Sequence, residues 1–265
     1  MIGQKYLLRN IGRLIQNDNL PRFIIITGSA GSERNKIAQY IADEMSAICV
    51  EVPDCKVDTI RDIIFNSYKV EAITVYNIKD ADSMSLQARN ALLKVTEEPP
   101  NKAYFVMTLD DENNTLSTIR SRGTLFEADL YSKDELSTYC DNEYILDIAE
   151  TPGDIDTLKE YGGEEFHNFV SKVADNIAQA SGSNALKIAQ SMKLKDTEDQ
   201  GSDTKYDIRL FWKAFCLVCM QNSWFNGLRI TSQCLSLLRV KAINKAMLFD
   251  KWILDIRQEW ADGNN

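Results

Sequence analysis

The chain has 265 residues, 44% of them hydrophobic, and a formal net charge of −9 at pH 7. A protein that binds nucleic acid by itself usually carries a basic excess, because contacts to phosphate supply most of its affinity. The acidic balance therefore argues against an independent DNA-binding protein, while it allows contact with DNA inside an assembly whose other members carry the positive charge.

The sequence also argues against a membrane protein, a secreted protein and a protein with a histidine-based metal site. The sequence has no apolar run long enough to span a bilayer, and its first residues lack the continuous apolar core of a signal peptide, so a cytoplasmic protein is predicted. The six cysteines are scattered, as in proteins with free thiols. Cys216 and Cys219 are interpreted as small core residues of an apolar helix rather than a redox or metal pair. His167 is the only histidine, which excludes a multi-histidine metal site and argues against a histidine-based triad.

The first half of the chain alternates between short apolar runs and segments with helical periodicity. Short β-branched and apolar runs predict buried parallel strands, and apolar residues three and four apart predict the helices between them. This alternation predicts an α/β core, a doubly wound parallel sheet with flanking helices. The predicted strands are FIIITG, which ends in Gly28, ICVEV, AITVYNI, AYFVMTL and TLFEADL. The predicted helices are Tyr6–Gln16, Glu33–Ala47, a helix capped by Asp58, and Ser83–Glu98.

From about Ser132 onward the pattern predicts helices only. Ser132 and Glu135 form a capping-box pattern, and a polar run from Lys195 to Lys205 predicts a linker. The other predictions are helices after Pro152-Gly153 and Gly162-Gly163, the latter from Glu164 to about Ala180, a turn at SGSN, and two apolar helices, Tyr206–Trp224 and Ile230–Trp260. The chain is therefore divided into a core (1–130), a small helical domain (131–195) and a C-terminal helical domain (206–262).

The segment GSAGSERNK lies where a strand passes into a helix, which is the setting of a phosphate-binding loop. A functional loop reads G-x-x-x-x-G-K-[ST]: the second glycine lets backbone amides surround the phosphates, the lysine contacts the β- and γ-phosphates, and the hydroxyl binds Mg²⁺. With Gly28 as the first glycine, those three positions hold Glu33, Arg34 and Asn35, and Gly31 is the other glycine of the loop.

The chemistry of these replacements predicts a degenerate, inactive loop. Glu33 adds a side chain and a negative charge near the phosphate oxygens. Arg34 keeps the charge of lysine without its slim reach, and Asn35 is a poor magnesium ligand. A register that uses Lys36 as the lysine puts Ile37 at the hydroxyl position, so it restores nothing.

The third predicted strand leads to Lys79 and Asp80, where a Walker B motif has an aspartate that holds magnesium and a glutamate that polarises the attacking water. Lys79 repels a metal ion, and Asp80 is one carbon shorter than glutamate. Both halves of an ATPase site are therefore altered. We predict no hydrolysis, no bound metal and no cofactor, with weak ATP or ADP binding left open.

The stretch from Lys79 to Gly123 closely resembles the Walker B to SRC region of clamp-loader subunits, which are AAA+ proteins. A match of this length is far more specific than an isolated phosphate-loop pattern. The order of a core, a helical lid (131–195) and a helical collar (206–262) also resembles that family. The residues that match the family pattern are Asn90, Ala91, Leu92, Leu93, Lys94, Glu97, Glu98, Pro99, Pro100, Thr118, Ile119, Ser121 and Arg122.

A degenerate nucleotide loop beside an intact SRC-type arginine resembles the bacterial delta-prime class of DNA polymerase III subunits. The resemblance implies a non-hydrolysing subunit that helps to assemble the loader, which places the sliding clamp on primer–template DNA. It implies clamp-loader ATPase and delta-type subunits as partners, contact with DNA only within the complex, and no membrane. It also implies that Arg122 acts as an arginine finger on a neighbour's ATP, with Arg120 as the alternative. An ordinary salt-bridged arginine is the structural interpretation of Arg122.

Three features depart from the family pattern. Gly123 replaces the cysteine of SRC, although the arginine carries the chemistry. Many bacterial relatives hold a four-cysteine zinc module between the two nucleotide motifs, whereas this region contains only Cys49 and Cys55, so no zinc is expected. The collar is short, which leaves a phage-derived or otherwise divergent member of the family open.

For two groups of residues, a functional and a structural interpretation both remain open. Arg89 and Lys94 lie off the apolar face of the helix Ser83–Glu98, and the resemblance implies that this helix faces primer–template DNA. Solvated charges are the commoner explanation. The aromatic residues of the C-terminal helices form a self-contained core or, as the resemblance favours, a collar that buries surface against sister subunits.

Two other functions remain open at this point. One is an ATP-binding or ATP-hydrolysing AAA+ motor whose loop tolerates Glu33, Arg34 and Asn35. The other is a different AAA+ adaptor, such as a helicase loader, that shares the core. The run NALLKVTEEPP argues against the second.

Overall fold

The computed structural model describes residues 3–128, 130–180, 184–185, 187, 194–195, 206–238 and 243–263. The chain separates into two compact units: the first comprises Met1–Leu136 and Thr151–Gly153, and the second comprises Ser137–Glu150 and Asp154–Asn265. Most of the predicted SGSN turn and of the predicted linker lies outside the described residues. The finer division into core, lid and collar stays a prediction.

A five-stranded parallel sheet forms the centre of the first unit, as the alternating pattern predicts. The strands lie in the order β2-β3-β4-β1-β5, and each neighbouring pair is parallel. All residues of β1, β3 and β4 are buried. The strands are β1 (Phe23–Thr27), β2 (Ile48–Glu51), β3 (Thr74–Ile78), β4 (Ala103–Leu109) and β5 (Thr124–Glu127).

Helices cover both faces of this sheet. They are α1 (Lys5–Gln16), α2 (Ile37–Glu44), α3 (Val57–Ser67), α4 (Leu86–Glu97) and α5 (Ser117–Arg120), with short 3₁₀ turns at Arg34–Lys36, Ala81–Ser83 and Glu112–Asn114. Successive residues of a strand point to opposite faces of the sheet. Ile24 and Ile26 therefore pack with α1 and α2, whereas Phe23 and Ile25 pack with α3 and α4.

The strand order brings together three strand ends that matter for the site. β1 lies between β4 and β5, and β4 lies between β1 and β3. Parallel strands end at the same edge of a sheet, and α/β sheets bind their ligands at that edge. The residues that follow β1, β3 and β4 therefore meet at one place.

The two predicted helix caps have different outcomes. The Asp58 cap is wrong, because Asp58 lies within the first turn of α3 and Asp54 is the carboxylate that accepts a hydrogen bond from the Lys56 amide, at 3.0 Å. The Ser132–Glu135 capping box is confirmed. The Glu135 amide donates to Ser132 Oγ at 3.2 Å, and the Ser132 amide donates to Glu135 Oε2 at 3.0 Å.

Helices make up most of the described chain after β5. Contrary to the prediction of helices only, two short strands, Leu194–Lys195 and Tyr206–Asp207, pair in parallel. None of the described helices is long and apolar enough to cross a membrane. The helices are α6 (Lys133–Ser137), α7 (Glu143–Ile148), α8 (Pro152–Glu160), α9 (Glu164–Gln179), α10 (Ile208–Gln221), α11 (Phe225–Leu237) and α12 (Lys245–Gly263).

The prediction of two long C-terminal helices is wrong, because the described residues after position 207 form three helices. The first helix ends at Gln221 instead of Trp224, and Ser223 beyond it has a left-handed φ of 54°. The segment predicted as one helix is divided between α11 and α12. Asn244 starts α12 by accepting a hydrogen bond from the Met247 amide at 3.0 Å, which caps the helix.

A buried aromatic cluster forms the core of the second unit. Phe211, Trp212, Phe215 and Trp252 are fully buried, and the rings of Phe215 and Trp252 meet edge to face at 4.8 Å. This packing supports a self-contained core for most of the C-terminal aromatic residues. Burial raises the pKa of the Cys219 thiol to about 12, which suits a core residue.

Candidate functional site

Gly28 and Gly31 hold the loop after β1 in a closely packed form. Gly31 has a positive φ of 80°, and a Cβ atom there would lie 2.7 Å from the Thr151 hydroxyl. A Cβ atom on Gly28 would lie 2.7 Å from the Cβ atom of Ala128, which follows β5. Both positions therefore require glycine for reasons of packing, independently of any nucleotide.

The chain itself satisfies two carbonyl groups of this loop. The Gly153 amide donates to the Gly31 carbonyl oxygen at 3.2 Å, and the Tyr131 hydroxyl donates to the Ser32 carbonyl oxygen at 2.9 Å. Gly153 and Tyr131 both belong to the first unit. These contacts fix the loop without a ligand.

In the predicted register of the loop, Arg34 stands at the position of the phosphate-binding lysine. Its side chain is 6% exposed. Nη1 donates to the Gly28 carbonyl oxygen at 2.5 Å, while Nη2 contacts Asp80 Oδ1 at 2.8 Å and Asp110 Oδ1 at 2.7 Å. A planar guanidinium presents several donors at once. Arg34 therefore links the ends of β1, β3 and β4, and we call these four residues the Arg34 cluster.

The Arg34 cluster is poorly suited to bind a phosphate. The side chains of Asp80 and Asp110 are 61% and 53% exposed, so the cluster has two solvated carboxylates around a buried cation. Partial desolvation raises the pKa of the Asp110 carboxyl, although Arg34 opposes this shift. An entering phosphate would have to displace the guanidinium from these carboxylates and would itself be repelled by them.

Asn35 joins two strands at the position where a functional loop has a magnesium-binding hydroxyl. Its Oδ1 accepts a hydrogen bond from the Thr108 hydroxyl at 2.6 Å, and its carbonyl oxygen accepts one from Asn77 Nδ2 at 3.0 Å. The same Thr108 oxygen accepts the Asp80 amide at 2.9 Å. The side chain of Asn35 is thus part of the hydrogen bonding between β3 and β4.

Glu33 stands at the position of the second glycine in the predicted register and has a left-handed backbone conformation. Its φ is 58°, in the left-handed region that favours glycine, and such a conformation costs a non-glycine residue about 1–2 kcal/mol. The Glu33 side chain is 9% exposed and pairs with Lys36. A conformation that favours glycine is thus held here by a residue with a nearly buried carboxylate side chain.

The two residues of the predicted Walker B position have different surroundings. Asp80 joins the Arg34 cluster, whereas Lys79 Nζ pairs with Glu51 Oε1 of β2 at 2.6 Å. Asp110 is the member of the cluster that sequence reasoning missed. Asp110 could have been found from its place directly after β4, because the apolar pattern predicts β4 as a buried strand.

Among the described residues, no group of three or more His, Cys, Asp or Glu side chains is arranged to hold a metal ion. Cys49 and Cys55 are partly buried, and Cys55 Sγ donates to the Lys79 carbonyl oxygen at 3.4 Å. The expected absence of zinc stays a prediction.

Arg122, the predicted arginine finger, is bound to the matching run and not to the nucleotide loop. Its side chain is 36% exposed, and Nη2 pairs with Glu97 Oε1 at 2.7 Å while Nη1 donates to the Thr118 carbonyl oxygen at 2.8 Å. Arg120, the alternative, donates to Asn113 Oδ1 at 3.0 Å. The structure therefore leaves Arg122 partly accessible, with one carboxylate partner.

Arg89 and Lys94 differ in their contacts within the chain. Arg89 Nη2 donates to the Asp82 carbonyl oxygen at 3.0 Å, so part of its hydrogen bonding is internal. Lys94 is exposed. Their predicted approach to DNA stays a prediction.

The parallel sheet with flanking helices and a helical C-terminal part defines an AAA+ fold. A DNA polymerase III gamma-subunit-related protein from Thermotoga maritima has a similar structure, with a TM-score of 0.53 and 15% identity, over 96% of this chain and 99% of that one. The RuvB Holliday junction branch migration motor of Thermotoga maritima has a TM-score of 0.50 and 16% identity, over 97% and 88% of the two chains. At these identities the likeness shows the fold alone.

The sequence is similar to clamp-loader proteins in particular. Residues 51–129 match the family model described as DNA polymerase III, delta subunit. DNA polymerase III subunit gamma of Buchnera aphidicola subsp. Schizaphis graminum is 24% identical over 220 residues, which are 72% of this chain and 56% of that protein. DNA polymerase III subunit tau/gamma of Haemophilus influenzae is 23% identical over 169 residues, 52% of this chain and 25% of that protein.

The chain thus spans about half the length, or less, of the curated relatives it matches. These matches support the predicted clamp-loader resemblance, and the matched residues 51–129 include the run from Lys79 to Gly123. The delta-prime class stays a prediction.

Proposed function

We propose that this chain is a non-hydrolysing, delta-prime-like subunit of a DNA polymerase III clamp loader. The observation that carries the proposal is the Arg34 cluster. Its buried guanidinium uses the acceptors nearest to the place where phosphate binds in a functional loop. A nucleotide would have to compete with these acceptors for the guanidinium and would be repelled by the carboxylates of Asp80 and Asp110, so binding is disfavoured.

The proposed site also lacks the groups that ATP hydrolysis requires. A hydrolytic site needs a metal ion that bridges the β- and γ-phosphates and a carboxylate that orients the attacking water. Asp80 is engaged by Arg34, and Lys79 stands at the metal-binding position and pairs with Glu51. The proposal therefore includes no metal and no cofactor, with ATP or ADP binding weak at most.

In the proposal, Arg122 contributes to ATP hydrolysis by a neighbouring subunit, because it contacts the ATP bound there. An arginine finger places a fixed positive charge against the phosphoryl group during transfer. The Glu97 partner of Arg122 is 53% exposed. Ion pairs of this kind contribute about 0–1 kcal/mol, so Arg122 can exchange Glu97 for a phosphate at little cost.

The proposed partners are clamp-loader ATPase and delta-type subunits and a sliding clamp, in the cytoplasm. Primer–template DNA is reached only within the complex, in keeping with the net charge of −9. In the proposed collar (206–262), Phe225 and Met247 are 72% and 69% exposed, so they are available to sister subunits. The aromatic residues of the buried cluster are not.

Affinity purification of the full chain from its host under mild salt tests the assembly. A clamp-loader ATPase with an intact phosphate loop is expected among the recovered proteins. Recovery of a helicase, or of no replication protein, would contradict the proposal and favour a different AAA+ adaptor.

The finger is tested on the ATP turnover of that recovered partner. Arg122→Ala is expected to slow the DNA- and clamp-stimulated turnover by roughly tenfold or more, because fingers stabilise the charge of the transition state. Arg120→Ala is the matched control and is expected to leave turnover nearly unchanged. A loss with Arg120→Ala alone reassigns the finger, and no loss with either variant refutes it.

The isolated chain provides the third test. Titration with Mg-ATP, followed by a phosphate-release assay, is expected to show no turnover and at most weak binding. Turnover by the isolated chain would instead support the alternative of an ATP-hydrolysing AAA+ motor.

A further inference from the structure

The outward face of α1 concentrates positive charge in an acidic protein. Lys5, Arg9 and Arg13 are all exposed and lie four residues apart, and the helix contains no Asp or Glu. The ion pairs between described residues do not involve these three side chains. The chain as a whole has 39 acidic and 30 basic residues, so a helix with three exposed cations and no carboxylate stands out from its surroundings.

The geometry of the helix aligns these charges. Residues four apart in an α-helix are separated by about 6 Å along the axis and turned by roughly 40°, so the three cations form a stripe about 12 Å long. Leu7 and Ile11 on the opposite face are buried. The core therefore holds the helix with the stripe toward solvent.

Tyr6 adds an aromatic ring to the same face. Its side chain is 69% exposed, and it lies three residues before Arg9, at the spacing of neighbours on a helix surface. Proteins that bind single strands combine cations that follow the phosphates with aromatic rings on which bases stack. The bases of a duplex are already stacked on one another, so an exposed ring favours a single strand.

We propose that this face of α1, formed by Lys5, Tyr6, Arg9 and Arg13, binds single-stranded nucleic acid. It lies on a different helix from Arg89 and Lys94, and the inference does not depend on the proposed function. With at most three phosphate contacts the binding is weak and salt-sensitive. The logarithm of the binding constant falls with the logarithm of the salt concentration with a slope of roughly −2, about −0.7 for each phosphate on a single strand.

The neighbouring carboxylates set the direction of the strand. Lys5 and Tyr6 also line an open cavity of about 600 Å³ together with Glu127 and Glu135. These carboxylates repel a phosphate backbone. The strand therefore runs from Tyr6 along α1 toward Arg13, and Arg9 and Arg13 contribute more than Lys5.

Fluorescence anisotropy of the full chain with a fluorescein-labelled oligothymidylate at low salt tests the proposal. Arg9→Glu combined with Arg13→Glu is expected to weaken binding by roughly tenfold or more, because two phosphate contacts become repulsive. Tyr6→Ala is expected to weaken it by roughly fivefold or more through the loss of one stacked base. Circular dichroism verifies that the variants remain folded.

The matched control is Lys56→Glu combined with Arg61→Glu, which changes the net charge equally at exposed residues beside and within α3. This control is expected to retain nearly all of the binding. Absence of binding by the unchanged chain, or an equal loss in the control, overturns the proposal. So does equal binding of a duplex with no effect of Tyr6→Ala. Equally strong competition by polyglutamate indicates a surface for an acidic protein and overturns it as well.

Discussion

Arg34 and Arg122 are both arginines at motif positions, but their surroundings differ. The Arg34 side chain is 6% exposed and has acceptors at the ends of three strands, whereas the Arg122 side chain is 36% exposed and has one carboxylate and one nearby carbonyl group. A buried guanidinium cannot move without leaving charges unpaired, while an exposed one exchanges partners at little cost. Burial therefore separates an arginine that is held by acceptors of its own chain from one whose side chain stays partly accessible.

A buried aspartate in the second unit, Asp154, pairs with Arg209 and gives the largest expected effect. The Asp154 side chain is 2% exposed and accepts Arg209 Nη1 at 3.2 Å and the Glu150 amide at 2.9 Å. Asp154→Asn is expected to lower the free energy of unfolding by about 3–5 kcal/mol, because Arg209 and Lys213 lose a buried counter-charge. Urea unfolding measures this. The exposed Asp156 of the same helix supplies the control, since Asp156→Asn is expected to cost less than about 0.5 kcal/mol.

The same carboxyl group gives a pH dependence. Burial alone raises the pKa of Asp154, but the hydrogen bonds and charges of Arg209 and Lys213 outweigh it, so the pKa lies below the ordinary value of 3.8. A carboxyl group with a lowered pKa in the folded state stabilises the fold above its unfolded pKa, and this contribution disappears as the pH falls through the folded pKa. The difference in unfolding free energy between the unchanged chain and Asp154→Asn should therefore shrink below about pH 4. If this difference stays constant below about pH 4, ionisation of Asp154 does not stabilise the folded state.

Removal of Arg34 should have the next largest effect. Arg34→Met is expected to lower the free energy of unfolding by about 2–3 kcal/mol, because the three strand ends lose their common donor. The loss is smaller than at Asp154 since Asp80 and Asp110 can be solvated. Arg34→Lys should recover only part of it, because an ammonium group does not reproduce the planar arrangement of donors. Arg61→Met, at an exposed position of α3, is the control. If Arg34→Met is as stable as the unchanged chain, Arg34 does not stabilise the fold and the contrast with Arg122 disappears.

The packing of the loop predicts a smaller loss. Gly31→Ala is expected to cost about 1–2 kcal/mol from its left-handed φ, with further crowding against the Thr151 hydroxyl. Gly12 within α1 is the control, because alanine is favoured over glycine in a helix by up to about 1 kcal/mol and a Cβ atom there would meet only the Tyr40 hydroxyl, at 3.3 Å. If Gly31→Ala melts at the same temperature as the unchanged chain, the loop is free to rearrange and the close packing has no energetic role.

Arg122 should show the smallest effect on stability. Arg122→Ala and Glu97→Gln are each expected to change the free energy of unfolding by less than about 0.5 kcal/mol, as is usual for half-exposed ion pairs. Thermal unfolding measures both variants beside Arg34→Met. A loss at Arg122 as large as that at Arg34 would show that both arginines are structural, and the contrast between them would disappear.

Local patterns were sufficient for most of the first unit. The strands β1, β3 and β4 are short apolar runs, and the helices between them have apolar residues three and four apart, so each element could be predicted from its own residues. The Ser132–Glu135 capping box is equally local. The division of the C-terminal helices was missed because the apolar pattern continues past Leu237, and the cap at Asn244 is a single polar residue.

Sequence alone was enough to establish that the loop lacks its lysine and hydroxyl and that the run from Lys79 to Gly123 is clamp-loader-like, because these are statements about residue identity and spacing. It could not place the side chain of Arg34 or reveal Asp110 as its partner. That placement follows from the strand order, which puts the end of β4 next to the end of β1. Residues far apart in the chain meet there, so the strand order at the sheet edge, and not any local pattern, decides which acceptors bind this arginine.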